Sequence, residues 1–141
     1  MKCKELQIFD WIQDKNGFQW QIIGVGDDYA YATFEGNEGD PWEFNDKDDK
    51  PEPIEITEDI LRQNKWEVQG YTLLPSEHYY VKDEGGNNLI LSHGTLSIWF
   101  ACGEANDEVF SDVVLPCKSV HQLQQALRLA GLSEIADNFK V

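Results

Sequence analysis

Turn-forming residues interrupt the chain at roughly ten-residue intervals from Trp66 to Leu115, a spacing that leaves room for short strands and little else. Gln69-Gly70, Pro75-Ser76, Glu84-Gly85-Gly86-Asn87-Asn88, His93-Gly94 and the stretch from Cys102 to Glu108 each tolerate a tight reversal. Four or five strands separated in this way form an antiparallel meander. Leu96, Ile98 and Phe100 alternate with Ser97 and Trp99, so this strand is expected to be central, with cover on at least part of both faces.

The first half follows the same logic. Asp10 to Gln13 precede Asn16-Gly17, a dipeptide that accepts the positive φ angles of a type I′ hairpin turn. Phe18, Trp20 and Ile22 then alternate with Gln19 and Gln21, which places three large apolar groups on one face of a strand. Gly24 and Gly26 break that run. After Asp27-Asp28 a further strand has Tyr29, Tyr31 and Thr33 on one face and Ala30, Ala32 and Phe34 on the other. Residues 35–55 carry nine acids, two lysines, Pro41, Pro51, Pro53 and two glycines around Trp42 and Phe44. This reads as exposed loop with one short strand at Trp42 to Asn45. The expected organisation is a barrel segment over residues 1–50 and an α+β segment over residues 51–141, separate or joined in one compact unit.

Two helices are expected. Thr57 caps a short one, with Glu58 and Asp59 at its positive end, Ile60 and Leu61 on its buried side and Asn64 as a left-handed stop. Ser119 and Gln122 have capping-box spacing, and Val120, Leu123, Leu127 and Ala130 recur at helical intervals up to Gly131. Gln124, Gln125 and Arg128 fall off that stripe and are expected in solvent while the apolar face packs on the C-terminal sheet. Ser133 is a candidate second cap and Ile135 an anchor for the tail.

Charge and cysteine content narrow the function classes. The 141 residues include 26 acidic and 11 basic ones, a net charge of -15, which keeps a protein soluble and repels nucleic-acid phosphates and anionic lipid. Direct nucleic-acid or membrane partners are therefore not expected. The longest strongly apolar run, Leu96 to Cys102, is too short to span a bilayer, and three sparse cysteines fit a reducing cytoplasm.

Chemistry-bearing constellations are thin. Cys117 and His121 with Cys102 and His93 offer zinc-type ligands but no Cys-x-x-Cys pair, so ordinary thiols and a helix-surface histidine are expected, with no metal and no cofactor. Gly24-Val25-Gly26 follows a strand as a phosphate loop would, but another strand and not a helix comes next. Asp46, Asp48 and Asp49 lack the twelve-residue calcium loop. No Gly-x-Ser-x-Gly elbow presents a nucleophile, and no catalytic residue is assigned. The aromatics Trp11, Trp20, Tyr29, Tyr31, Trp42 and Phe44 are more than a fifty-residue barrel can bury, although internal packing takes the larger share. Those left over would form an aromatic groove for a basic or proline-containing peptide. Its candidate contacts are Trp42, Phe44, Tyr29 and Tyr31, with Asp46, Asp48 and Asp49 beside them.

Three stretches carry a resemblance: residues 5–12 (Glu-Leu-Gln-Ile-Phe-Asp-Trp-Ile), residues 55–61 (Glu-Ile-Thr-Glu-Asp-Ile-Leu) and residues 120–131 (Val-His-Gln-Leu-Gln-Gln-Ala-Leu-Arg-Leu-Ala-Gly). The chain resembles a family of uncharacterised small proteins of gut anaerobic bacteria, their phages and mobile elements, and departs from that family's usual Gly-Asp-Trp opening by placing Phe9 before Asp10. The family brings no established activity. The first fifty residues also look like a small SH3-like barrel, a fold that by itself does not settle function. The expected fold is thus α+β: a small N-terminal SH3-like β-barrel, then an antiparallel sheet packed against one C-terminal helix. The expected function is that of a non-enzymatic accessory protein of a phage or mobile element, binding a protein partner with a basic or aromatic-binding surface. One alternative is an acidic nucleic-acid mimic that inhibits a host DNA-binding or defence protein. Another is a small hydrolase, which requires a pocket joining a histidine to a nucleophile.

Overall fold

A computed structural model describes residues 1–35, 37, 39–69, 79–84, 87–92, 94–101 and 108–141. After one 3-10 turn at Cys3–Glu5, the first five strands are β1 (Trp11–Gln13), β2 (Gln19–Val25), β3 (Tyr29–Thr33), β4 (Trp42–Asn45) and β5 (Glu52–Pro53). Helix α1 (Glu58–Gln63) precedes β6 (Glu67–Gln69), β7 (Tyr79–Glu84), β8 (Asn87–Ser92), β9 (Thr95–Ala101) and β10 (Glu108–Pro116). Helices α2 (Val120–Leu129) and α3 (Ser133–Asp137) close the chain. The class is α+β, with two five-stranded sheets and C-terminal helices. Two compact units share these elements. The first comprises Met1–Glu55, Ser119–Phe139 and Val141, and the second Ile56–Lys118 and Lys140.

The first unit holds a curled antiparallel sheet in the order β4-β3-β2-β1-β5. The β1–β2 hairpin forms as the alternation demands, with Ile12 opposite Trp20, but its turn is not type I′. Only Gly17 takes a positive φ, 81°, while the Asp14 carboxylate accepts the Asn16 and Phe18 N–H groups. A side chain that captures loop donors does the work that a second left-handed residue would otherwise do. Ile12, Ile22, Ala30, Ala32 and Phe44 form the buried inner face together with Cys3 and Leu6. The outer face carries Tyr29 and Tyr31.

Gly24 and Gly26 have a packing role here. A bulge after Ile22 sets Gly24 opposite Tyr31. A Cβ at Gly26 would collide with the Tyr29 ring, and one at Gly24 would touch the Tyr31 ring at 3.7 Å. The Tyr29 ring thus lies over the bare backbone of Gly26, where a side chain has no room, while Gly24 meets the Tyr31 ring at ordinary contact distance.

Helix α2 belongs to the first unit. The expectation that it covers the C-terminal sheet, with its glutamines and arginine in solvent, is overturned by where those side chains go. Gln124 is fully buried; its Oε1 accepts the Trp11 N–H at 2.9 Å, and its Nε2 donates to the carbonyls of Phe9 and Ala136. Gln125 donates to the Glu5 carbonyl at 2.9 Å and to Asp10 Oδ2 at 2.6 Å. Arg128 donates to Asp10 Oδ1 at 2.6 Å, to Asp137 Oδ1 at 2.9 Å and to Gln7 Oε1 at 3.2 Å. Polar periodicity alone cannot distinguish a side chain facing water from one feeding a buried network.

The helix ends follow simple rules with some reassignment. Gly131, at φ 82°, closes α2 as expected, with Gly131 N–H on the Arg128 carbonyl and Leu132 N–H on that of Leu127. Ser119 precedes α2 but its side chain caps no backbone amide; its Oγ meets His121 Nδ1 at 3.0 Å. Ser133 is the first residue of α3 and Leu132 holds the cap position, while Ala136 and Phe139 are the buried anchors and Ile135 is only partly covered.

In the second unit Thr57 caps α1 through its Oγ1, which accepts the Ile60 N–H at 3.3 Å. The left-handed stop falls on Lys65, at φ 65°, and not on Asn64. The sheet runs β10-β9-β8-β7-β6, antiparallel throughout, so β9 is an interior strand as its alternation suggests. Gly70, Pro75, Ser76, Gly85, Gly86, His93 and residues 102–107, on which several expected turns fall, lie outside the described residues. The chain leaves the first unit at Glu55 and returns at Ser119, and these two residues bridge each other, with Val120 N–H on the Ile54 carbonyl at 2.9 Å. The second unit is thus an insertion whose ends are tied together within the first.

Two outcomes test this assignment. Arg128→Met strands the fully buried Asp10 carboxylate and should lower unfolding free energy by about 3 kcal/mol or more, with much of that recovered on adding Asp10→Asn. Denaturant titration of the three variants measures both; an unchanged midpoint for Arg128→Met would remove the network from the account of stability. Phe9, at φ 72°, occupies a conformation that disfavours L-residues by roughly 1–2 kcal/mol, and glycine there loses about half of that gain through chain entropy. Phe9→Gly should therefore leave stability unchanged or raise it by up to about 1 kcal/mol, whereas Phe9→Val should lower it.

Candidate binding site

Burial falls steadily along the inner face of β2 and the residues before it. Ile22 is fully buried, Trp20 is partly covered and Phe18 is 64% exposed. The register sets Trp42 across from Ala32 on that same face, and Phe34 follows the end of β3. Trp20 is the hub of the cluster that results. Its ring lies 5.1 Å from Phe34 at 80°, 6.0 Å from Phe44 at 81° and 6.2 Å from Trp42 at 34°. Edge-to-face and tilted contacts at these distances are the favoured aromatic arrangements. Phe44 is the fully buried floor, and Trp42 is 50% exposed at the rim.

Both indoles are held by carboxylates. Trp20 Nε1 donates to Asp14 Oδ2 at 3.2 Å and Trp42 Nε1 to Asp49 Oδ2 at 2.7 Å. Burial works against the charged form of Asp14, yet the Phe18 and Asn16 N–H groups and the Trp20 indole hold its carboxyl below the usual range. The loop that returns to β4 is organised by Asn37, whose carbonyl accepts the Thr33 hydroxyl at 3.0 Å and whose amide donates to the Asp40 carbonyl at 3.2 Å.

Of the residues expected to form one groove, the structure brings together Trp42, Phe44 and Asp49. Phe44 supports from below and presents no surface. Tyr29 and Tyr31 lie on the opposite face of the sheet, their rings 5.5 Å apart, with Glu43 bonded to the Tyr31 phenol and pushing its pKa up. The register causes the separation: Ala32 pairs with Trp42 and Ala30 with Phe44, so Tyr29 and Tyr31 share the other face with Glu43. Asp46 is engaged internally: it accepts the Cys3 N–H at 2.8 Å, which holds its carboxyl low, with Lys2 and Lys50 adding to the effect. Cys3 is fully buried, and burial followed by the Asp46 carboxylate pushes its thiol up to about 12. Asp48 is exposed, with its backbone N–H on Asn45 Oδ1. Trp20, Phe34, Phe18 and Asp14 are the members that spacing did not single out. The Phe18-x-Trp20-x-Ile22 alternation was the available signal for two of them.

Other constellations carry less. Among the described residues no group of three or more histidine, cysteine, aspartate or glutamate side chains is placed to hold a metal ion, and His93 and Cys102 lie outside them. Cys117 is buried and its thiol is pushed up to about 12 by that burial. His121, expected on the helix surface, is buried and bonded to Ser119, which is buried as well. Burial lowers the His121 pKa, with the Asp10 and Glu5 carboxylates pulling the other way. Among the described helices none is long and apolar enough to cross a membrane. No family model, curated protein or solved structure matches the chain.

The buried imidazole makes stability depend on pH. An unfolded chain takes up a proton near the ordinary histidine value of 6.5, whereas the folded ring resists it, so protonation favours unfolding. Stability should be level above that value and decline as pH falls from 7 to 5. Denaturation midpoints across this range should show a slope in the wild type that His121→Gln lacks; parallel losses would place the titrating group elsewhere.

Proposed function

We propose that the chain is a non-enzymatic binding protein, an accessory factor of a bacterial phage or mobile element, which takes a protein partner with a basic surface on the Trp20–Phe34–Trp42 rim. One observation carries this reading: Trp42 leaves half of its surface in solvent and Phe34 is 37% exposed, both against the Trp20 ring, while Phe44, two residues along from Trp42 on the same face, is fully buried. Large aromatics held at a solvent boundary by neighbouring rings are the residue type that dominates binding energy at protein interfaces. The surplus of acids over lysines in residues 35–55 supplies a field that attracts basic surfaces and repels phosphates. An SH3-like barrel is the finer fold that suits such a site, since aromatic-lined grooves on small barrels take extended peptides.

Trp42→Ala should weaken partner capture from host lysate by about 2 kcal/mol or more, the range of an aromatic hot spot. Asp48→Asn should act differently, slowing association and reducing its salt dependence with little change in dissociation. A partner retained equally by wild type and Trp42→Ala, with both folded, sinks the reading. If charge removal alone abolishes capture, mimicry of nucleic acid becomes the better account.

A further inference from the structure

Trp42 is half exposed, and its indole N–H is bonded to the Asp49 carboxylate. We infer that this corner seats one arginine side chain of the partner, its guanidinium stacked on Trp42 and paired with Asp49, an inference that rests on the protein-binding reading above and narrows it. The platform is held in place from two sides. Trp20 backs the Trp42 ring at 6.2 Å, itself braced by Phe34 and Phe44, and the Asp49 bond at 2.7 Å fixes the indole rotation. Little side-chain freedom is left to lose on binding, which favours affinity.

The same carboxylate selects the occupant. Asp49 Oδ2 on the indole N–H pushes electron density into the ring and deepens the negative potential over its face, the source of attraction for a cation. The indole N–H takes Oδ2, and Oδ1 is the second acceptor of the same carboxylate. A ligand that meets both features is flat, cationic and rich in donors. Guanidinium stacks on an aromatic plane while its N–H groups reach a carboxylate in the same plane; an ammonium is compact, strongly hydrated and cannot do both. Asp40, Glu43 and Asp48, all exposed in the same stretch of chain, add a field of the right sign.

Tryptophan fluorescence titration of the full chain with hexaarginine, hexalysine and hexacitrulline peptides tests this. Hexaarginine should bind about tenfold more tightly than hexalysine of equal charge, and hexacitrulline, which keeps the planar shape without charge, should bind at least tenfold more weakly than hexaarginine. Trp42→Leu, which keeps apolar area but removes the ring face, should bring arginine and lysine peptides to within roughly twofold of each other. Asp49→Asn, whose amide oxygen still accepts the indole N–H, should cost hexaarginine roughly threefold more than Asp48→Asn does. Equal affinity for the arginine and lysine peptides, or an arginine preference that survives Trp42→Leu, overturns the seat and leaves long-range charge as the cause. A partner lost on Trp42→Ala without any arginine preference would overturn the seat alone and leave the binding reading standing.

Discussion

Asp10 is the residue on which the first unit depends, because its polar groups close the turn before β1 and join it to β2 and to α2. Its N–H is on the Gln7 carbonyl, its carbonyl accepts the Ile22 N–H, and its carboxylate receives Gln7 N–H, Gln125 and Arg128. A fully buried carboxylate is costly unless its oxygens are met by donors and a counter-charge, and here both are supplied by one helix and one turn. That requirement fixes the rotation of α2 about its axis. Residues 5–12 and 120–131 hold each other's polar groups through these bonds.

The left-handed Phe9 follows from the same arrangement. Its N–H must reach the Ile22 carbonyl while its own carbonyl faces Gln124, and the chain bends at φ 72° to do both. Strain of this kind persists where surrounding bonds over-determine the backbone. The consequence reaches the proposed site indirectly, since β1 and β2, once positioned by this turn, place Ile12, Trp20 and Ile22 on one face. The rim is then what remains when the buried part of that face runs out: Ile22 and Phe44 are covered, and Trp20, Phe34 and Trp42 grade outward into solvent.

An aromatic rim tethered by carboxylates suits reversible recognition. The rings are supported by one another and the indole N–H groups are already satisfied, so the exposed surface is apolar and rigid at once. A partner need not satisfy a buried donor in order to dock, and desolvating the indole faces is favourable. The acidic surroundings create a negative field that acts over a longer range than the ring contacts.

Spacing along the chain determined the strand alternation, the short helix capped by Thr57, the α2 stripe and its Gly131 stop, because each is settled by groups within a few residues of one another. Composition grouped Trp42, Phe44, Tyr29, Tyr31, Asp46, Asp48 and Asp49, of which the fold places Trp42, Phe44 and Asp49 together. Alternation within β3 and within β4 leaves open which face of one strand continues which face of the other, and the register that pairs Ala32 with Trp42 and Tyr31 with Glu43 turns the tyrosines away from Trp42. What only tertiary structure decided is where the polar side of α2 goes and which rings meet. Arg128 and Asp10 are 118 residues apart, and Trp11 and Gln124 are 113 apart. A glutamine bound for solvent and one bound for a buried backbone have the same helical position, and only the fold that brings a partner to it tells them apart.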